Sequence, residues 1–132
     1  MTKDFNPHFD VDFARGLVGE NLVADLAGMT VEVKTDYLAW KTGNFYIETW
    51  QYRADDASDK RLSGINVTTA DYWCFAGPAG RGLIFIKTED LKQIIRDTDP
   101  PEVHQRVAND YSNASIGRLV PVRDVLNKIV SL

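Results

Sequence analysis

The sequence predicts an α/β fold, and three observations carry the prediction. Residues 30–53 alternate apolar with polar side chains and are rich in β-branched and aromatic types, the pattern of half-buried strands. Two apolar runs, Tyr72–Phe75 and Leu83–Ile86, flank a Gly-rich turn and read as a third and fourth strand. Helical spacing appears in three further stretches. The first starts at Asp10 or Asp12, runs to about Leu26 and stops at Gly28. The second starts at Thr88 as its N-cap, with Leu91, Ile94 and Ile95 on one face, and ends before Pro100. The third closes the chain with Val125, Leu126 and Ile129 inward. At 132 residues the chain is expected to form one domain, 1–132, long enough to bury a core without disulfides or structural metals.

The stretch 30–53 predicts two strands joined by a tight turn at Lys41-Thr42-Gly43, with Gly43 in the left-handed position of a three-residue hairpin loop. That register pairs Trp40 with Asn44, Asp36 with Glu48, Lys34 with Trp50 and Glu32 with Tyr52. Glu32, Lys34, Asp36, Glu48 and Trp50 then share one face, while Val31, Val33, Tyr37, Phe45 and Ile47 form a core layer. Gln51 has the wrong parity for the charged face unless a bulge intervenes. Two carboxylates directly opposed repel, and a divalent cation with oxygen ligands would relieve them. A solvated face on which Lys34 screens the two acids is the competing reading.

In the first helix, Phe13, Leu17 and Ala24 define a stripe, and Glu20 falls inside it. A carboxylate on an apolar stripe is costly unless it is paired, bound to a cation, or placed at the edge where it reaches water. Gly16 and Gly19 lower helix propensity there. Residues 1–10 show no period and read as an irregular lead-in. After residue 53, the segment 54–62 reads as a charged loop with Lys60 and Arg61 as candidate phosphate contacts. Gly77–Gly82 lacks the Gly-Lys-Ser/Thr ending of a nucleotide loop and reads as a hairpin turn, with Arg81 as a further candidate contact. Pro101 opens a short helix through Ala108, residues 110–117 read as a polar loop, and a short strand follows at Arg118–Val122. His8 and His104 have no partner in the pattern and read as surface residues.

Composition narrows the function classes. The single cysteine, Cys74, sits in an apolar run and excludes an internal disulfide framework; a buried, inert thiol in a reducing, cytoplasmic setting is the expectation. No apolar run approaches a membrane span, and the first residues lack the apolar core of a signal peptide. The net charge of −4 disfavours a protein that grips duplex DNA by charge alone. The acidity is uneven: residues 1–80 carry a balance of −5 and residues 81–132 a balance of +1. Bound cations would offset part of the acidic half.

The run Glu32-Val-Lys-Thr-Asp36, followed by Thr42-Gly-Asn44 and Ile47-Glu48, resembles the PD-(D/E)XK (restriction-endonuclease-like) nuclease superfamily in its small phage-type endonucleases. Ser63-Gly64-Ile65 and Thr69-Ala70-Asp71-Tyr72-Trp73 add to the resemblance, which covers roughly residues 13–75. It implies a mixed central sheet with a catalytic β-hairpin flanked by helices, and hydrolysis of DNA phosphodiester bonds with Mg²⁺ or Mn²⁺. It also implies metal binding by Asp36, Glu48 and the helical Glu20. The superfamily's lysine position, two residues after the second acid, holds Trp50; the hairpin register would bring Lys34 to the same place from across the strand pair. Glu32 is a weaker candidate ligand. A nuclease-like module that binds nucleic acid or protein without cleaving is the alternative, followed by a small interaction protein; RNA cleavage is also open. A symmetric pair is the simplest way for so small a domain to cut both strands, so a homodimer falls within the expectation.

Overall fold

The computed structural model describes residues 20–106 and 112–131. The chain divides after Thr30 into two units, each described by itself. In the first, residues 20–26 are helical (α1), and the helix ends where the sequence places its end. The N–H groups of Ala27, Gly28 and Met29 close the last turn on the carbonyls of Ala24, Asp25 and Leu26. Asp10, Asp12, Phe13, Gly16, Leu17, Gly19 and His8 lie outside the described residues.

The second unit is mixed α/β. Strands β1 (Val31–Thr35), β4 (Tyr72–Ala76) and β5 (Leu83–Lys87) form one sheet in the order β1-β4-β5. Strands β2 (Asn44–Arg53), β3 (Asp56–Leu62), β6 (Glu102–Arg106) and β7 (Asn113–Pro121) form an antiparallel second sheet in the order β3-β2-β7-β6. Helices α2 (Ala39–Thr42), α3 (Thr88–Thr98) and α4 (Val122–Val130) complete it.

This arrangement corrects the hairpin. β1 runs parallel to β4, pairing Glu32 with Trp73, Val33 with Cys74 and Lys34 with Phe75, whereas β2 belongs to the other sheet. Asp36 therefore does not oppose Glu48, nor Lys34 Trp50, nor Glu32 Tyr52, and Trp40 lies in α2. Alternation fixes which face each side chain takes but not which strand lies alongside. The chain uses residues 36–43 to pass from one sheet to the other. Gly43 is left-handed as expected (φ 78°), but as the C-cap of α2, its N–H bonded to the Ala39 carbonyl at 2.8 Å.

Phe45 and Ile47 carry β2 into a core built with Trp73, Phe75, Ile86, Leu91, Ile94, Val120 and Val125. The rings of Phe45 and Phe75 stack at 3.8 Å and 9°, joining the two sheets. Of the expected core layer, Val33 (59% exposed) and Tyr37 (64%) are instead exposed, Val33 on an edge strand of the three-stranded sheet and Tyr37 in the turn that follows it. In α4 only Val125 is buried; Leu126 and Ile129 are nearly half exposed, since a nine-residue helix lays a single turn on the core.

Three polar segments differ from expectation. Residues 56–62 are a strand, exposed along its length; 102–106 are a strand, with no helix starting at Pro101; and β7 begins at Asn113 inside the expected loop. Each is recruited by backbone pairing with a neighbour and lacks the apolar period that betrays a strand in sequence. At α3, Thr88 is the first helical residue and Lys87 the N-cap; the Thr88 hydroxyl donates to the Ala70 carbonyl instead. The turn after β4 is a hairpin as expected, closed by Gly77 N–H on the Gly82 carbonyl. Cys74 is buried as expected, and burial pushes its thiol above the ordinary range. No helix among the described residues is long and apolar enough to cross a membrane.

Because the Phe45–Phe75 stack joins the sheets, Phe45→Ala should lower unfolding free energy by about 3–5 kcal/mol, the usual cost of emptying a phenylalanine site. Urea denaturation followed by tryptophan fluorescence measures it.

Candidate active site

Asp36 ends β1 and governs the passage between the sheets. Its Oδ1 accepts the N–H groups of Leu38 (3.1 Å) and Ala39 (3.2 Å), opening the turn into α2. Its Oδ2 accepts the Tyr46 N–H at 3.0 Å, ten residues on. That N–H lies on the edge of β2 away from β7, and β3 pairs only beyond it, at Trp50, Gln51 and Arg53. A short acidic side chain at the start of a turn suits this role, because it accepts from N–H groups two and three residues on while its own backbone carbonyl also accepts the Ala39 N–H at 3.3 Å.

On β2, Tyr46 and Glu48 face away from Phe45 and Ile47. At Thr49 the ladder with β7 slips by one residue, Glu48 pairing with Gly117 and Trp50 with Ile116. This is a β-bulge, and beyond it the faces exchange. Gln51 turns onto the Glu48 face, its Nε2 3.4 Å from Glu48 Oε2. Trp50 turns to the opposite face, with Lys60 Nζ 5.1 Å above its ring. The bulge is pinned by residues 63–66: the Thr49 carbonyl accepts from Ser63 N–H and Asn66 Nδ2, each at 2.9 Å, and the Thr49 hydroxyl donates to the Ile116 carbonyl. Gly64, at φ +52°, packs so closely that a Cβ would lie 2.1 Å from the Glu48 carbonyl oxygen. Ser63 Oγ donates to Glu48 Oε2 at 2.5 Å, within the range of a hydroxyl–carboxylate bond.

Lys34, Asp36 and Glu48 line one open cleft of about 790 Å³, together with Tyr37, Tyr46, His104, Gln105 and other residues. The structure thus gathers three of the four expected site residues, by a route other than a hairpin. Lys34 Nζ sits 2.9 Å from Glu32 Oε1 and 5.3 Å above the Trp73 ring. Glu32, the weaker candidate ligand, is occupied by that ion pair and does not line the cleft. Tyr46 contributes a phenol hydrogen-bonded to Ser115 at 2.7 Å; burial, reinforced by the Glu48 charge, pushes its pKa up, so it stays neutral. His104 is exposed as expected, its Nδ1 3.1 Å from the Tyr52 hydroxyl. Glu20, in the N-terminal unit, is helical and exposed. Arg61 pairs with Gln51 in the β2–β3 ladder and is exposed, and so is Arg81.

Gln51 and Ser63 are the contributors that sequence reasoning did not assign. For Gln51 the parity condition was the available signal, and the bulge meets it. For Ser63 the signal was only its place in a segment matching the superfamily.

Among the described residues no three His, Cys, Asp or Glu side chains converge as a metal cluster. The two carboxylates nonetheless suit a hard cation that keeps most of its waters. Mg²⁺ is commonly held by one or two carboxylates plus substrate phosphate. A carboxylate has about four lone-pair sites; three on Asp36 are used by N–H groups, and Glu48 Oε1 bonds to no described residue. Compared with protein-family models, curated proteins and solved structures, the chain matches none.

The geometry reverses one consequence of the hairpin register, that losing Asp36 relieves repulsion. Asp36→Ala should destabilise the fold by about 2–4 kcal/mol, a capping contribution plus an unpaired Tyr46 N–H. Asp36→Asn, which keeps one carbonyl acceptor, should cost less. Thermal melts of both in EDTA measure the difference.

Proposed function

We propose that the chain is a metal-dependent nuclease of restriction-endonuclease-like fold that hydrolyses phosphodiester bonds in DNA. The observation that carries the reading is that Lys34, Asp36 and Glu48 line one cleft. The choice of DNA over RNA, and a homodimer as the working form, rest on the resemblance and on the need to cut two strands.

In this reading Asp36 and Glu48 hold Mg²⁺ or Mn²⁺. The ion these carboxylates would hold would supply Lewis-acid polarisation of the scissile phosphate and activation of the attacking water. Asp36 is suited to a fixed position, because its three N–H bonds tie it to the turn and to β2. Glu48 approaches from β2, on the face that the Thr49 bulge leaves to Glu48 and Gln51. Lys34 stands at the cleft wall and neutralises charge that builds on the phosphoryl oxygens in the transition state. The superfamily's usual lysine position does not decide the matter, since Trp50 faces the other side of the sheet. A non-cleaving module that binds nucleic acid or protein is the second reading, favoured by one observation: Lys34 Nζ is paired with Glu32.

Incubation with plasmid, single-stranded and branched DNA in Mg²⁺, Mn²⁺ or EDTA tests the proposal. Cleavage should require metal. Glu48→Gln should abolish it with little change in melting temperature, and Lys34→Ala should cut the rate at least about 100-fold while leaving metal binding near wild type. Metal binding without cleavage of any DNA form would select the second reading.

The resemblance also assigns Glu20 to the ion. Glu20→Ala should then weaken Mn²⁺ binding in a calorimetric titration, and an unchanged curve would return Glu20 to a solvent-facing helical carboxylate.

A further inference from the structure

We infer that Ser63 is a positioning residue for the metal site: its hydroxyl, with Gln51 as a second donor, fixes the Glu48 carboxylate so that Oε1 is presented to the cation. The inference rests on the nuclease reading for its ligand, a divalent cation held by Asp36 and Glu48.

Both donors meet the same oxygen. Ser63 Oγ lies 2.5 Å and Gln51 Nε2 3.4 Å from Glu48 Oε2, while Oε1 bonds to no described residue. A glutamate has three side-chain torsions, and a ligand free to rotate loses that freedom on binding; a second hydrogen-bonded partner removes the loss beforehand. Donation to Oε2 also leaves Oε1 the oxygen better able to bind a cation.

The backbone makes the arrangement specific. Ser63 is extended (φ −150°, ψ 175°), and its N–H bonds to the Thr49 carbonyl at 2.9 Å, so its Cα is anchored to the bulged residue beside Glu48. The next residue, Gly64, adopts φ +52° and packs on the Glu48 carbonyl at a distance that admits no side chain. Two backbone features therefore hold the hydroxyl at Glu48, and the bulge delivers Gln51 to the same side chain. The hydroxyl serves no other hydrogen bond among those the structure gives it.

Calorimetric titration of the full chain with Mn²⁺ in the absence of DNA tests this, with melting in EDTA as the structural control. Ser63→Ala should weaken Mn²⁺ binding about 10- to 100-fold, the range for losing a partner of a metal ligand. Ser63→Thr should restore it to within about 3-fold, because an extended backbone accepts a β-branched residue that keeps the hydroxyl. Gln51→Ala, which removes the longer contact, should lose less than Ser63→Ala. Should Ser63→Ala melt before it can be titrated, Ser63→Cys, similar in size but a weak donor, takes its place with the same expectation. Wild-type affinity in Ser63→Ala, or equal losses in Ser63→Ala and Ser63→Thr, would overturn the assignment. If the wild type binds no Mn²⁺, both this inference and the nuclease reading fall. If Mn²⁺ binding depends on Ser63 but no DNA is cleaved, the inference stands and the nuclease reading fails.

Discussion

The carboxylate of Asp36 is the joint on which the second unit turns. It bonds forward to Leu38 and Ala39, which starts α2, and across to Tyr46, which fixes β2 on the edge that β3 does not reach. Without the carboxylate the Ala39 N–H would keep the Asp36 backbone carbonyl at 3.3 Å, while the Leu38 and Tyr46 N–H groups would lose this acceptor, the partly buried one on Tyr46 at the greater cost. The same bonds set where Lys34 leaves β1 and where Glu48 leaves β2. A cleft with both groups on its wall follows from the joint. In the proposed reading structural and chemical roles would coincide in the Asp36 side chain, so stability and metal affinity are to be measured separately in its variants.

A second constraint acts from the other side. The Thr49 bulge changes the parity of β2, so residues that strict alternation would place apart share a face. Bulges cost ladder bonds and persist where something holds them. Here the Thr49 carbonyl is taken up by Ser63 and Asn66, and the hydroxyl by Ile116, so both oxygens of the bulged residue are paired. The segment at 63–66 is a brace for β2, which explains why a small residue must follow Ser63: only glycine fits against the Glu48 carbonyl.

Much of this was legible in the sequence. Phe45, Ile47 and Glu48 were assigned to the right faces because β2 up to the bulge alternates strictly. The apolar strands β4 and β5 and the helix α3 carried their own periodicity and fell where expected. The partner of β1 was not legible. Val31-Glu-Val-Lys34 alternates equally well beside any strand, and no glycine or proline between Asp36 and Thr42 marks the short helix that redirects the chain. The strands β3 and β6 failed for another reason: with polar side chains on both faces they are strands only because β2 and β7 offer backbone partners. Gly43 was correctly read as left-handed from a premise that was wrong, since a helix C-cap and a hairpin loop both require that conformation.

The ion pair between Lys34 and Glu32 bears on which reading of the cleft is the stronger. A lysine held by a carboxylate looks unavailable to a phosphate, yet the energetics argue otherwise. The two side chains remain 38% and 42% exposed, and pairs in that setting contribute only about 0–1 kcal/mol, diminished further by salt. A phosphate in the open cleft would therefore compete with a pair that is itself worth little. In the proposed reading Lys34 would give up two weak contacts for substrate, the Glu32 pair and the position of its Nζ 5.3 Å above the Trp73 ring. The pairing that favours a non-cleaving module is for this reason a weak argument, and it leaves the placement of Asp36, Glu48 and Lys34 on the wall of one cleft as the stronger ground for the proposed reading.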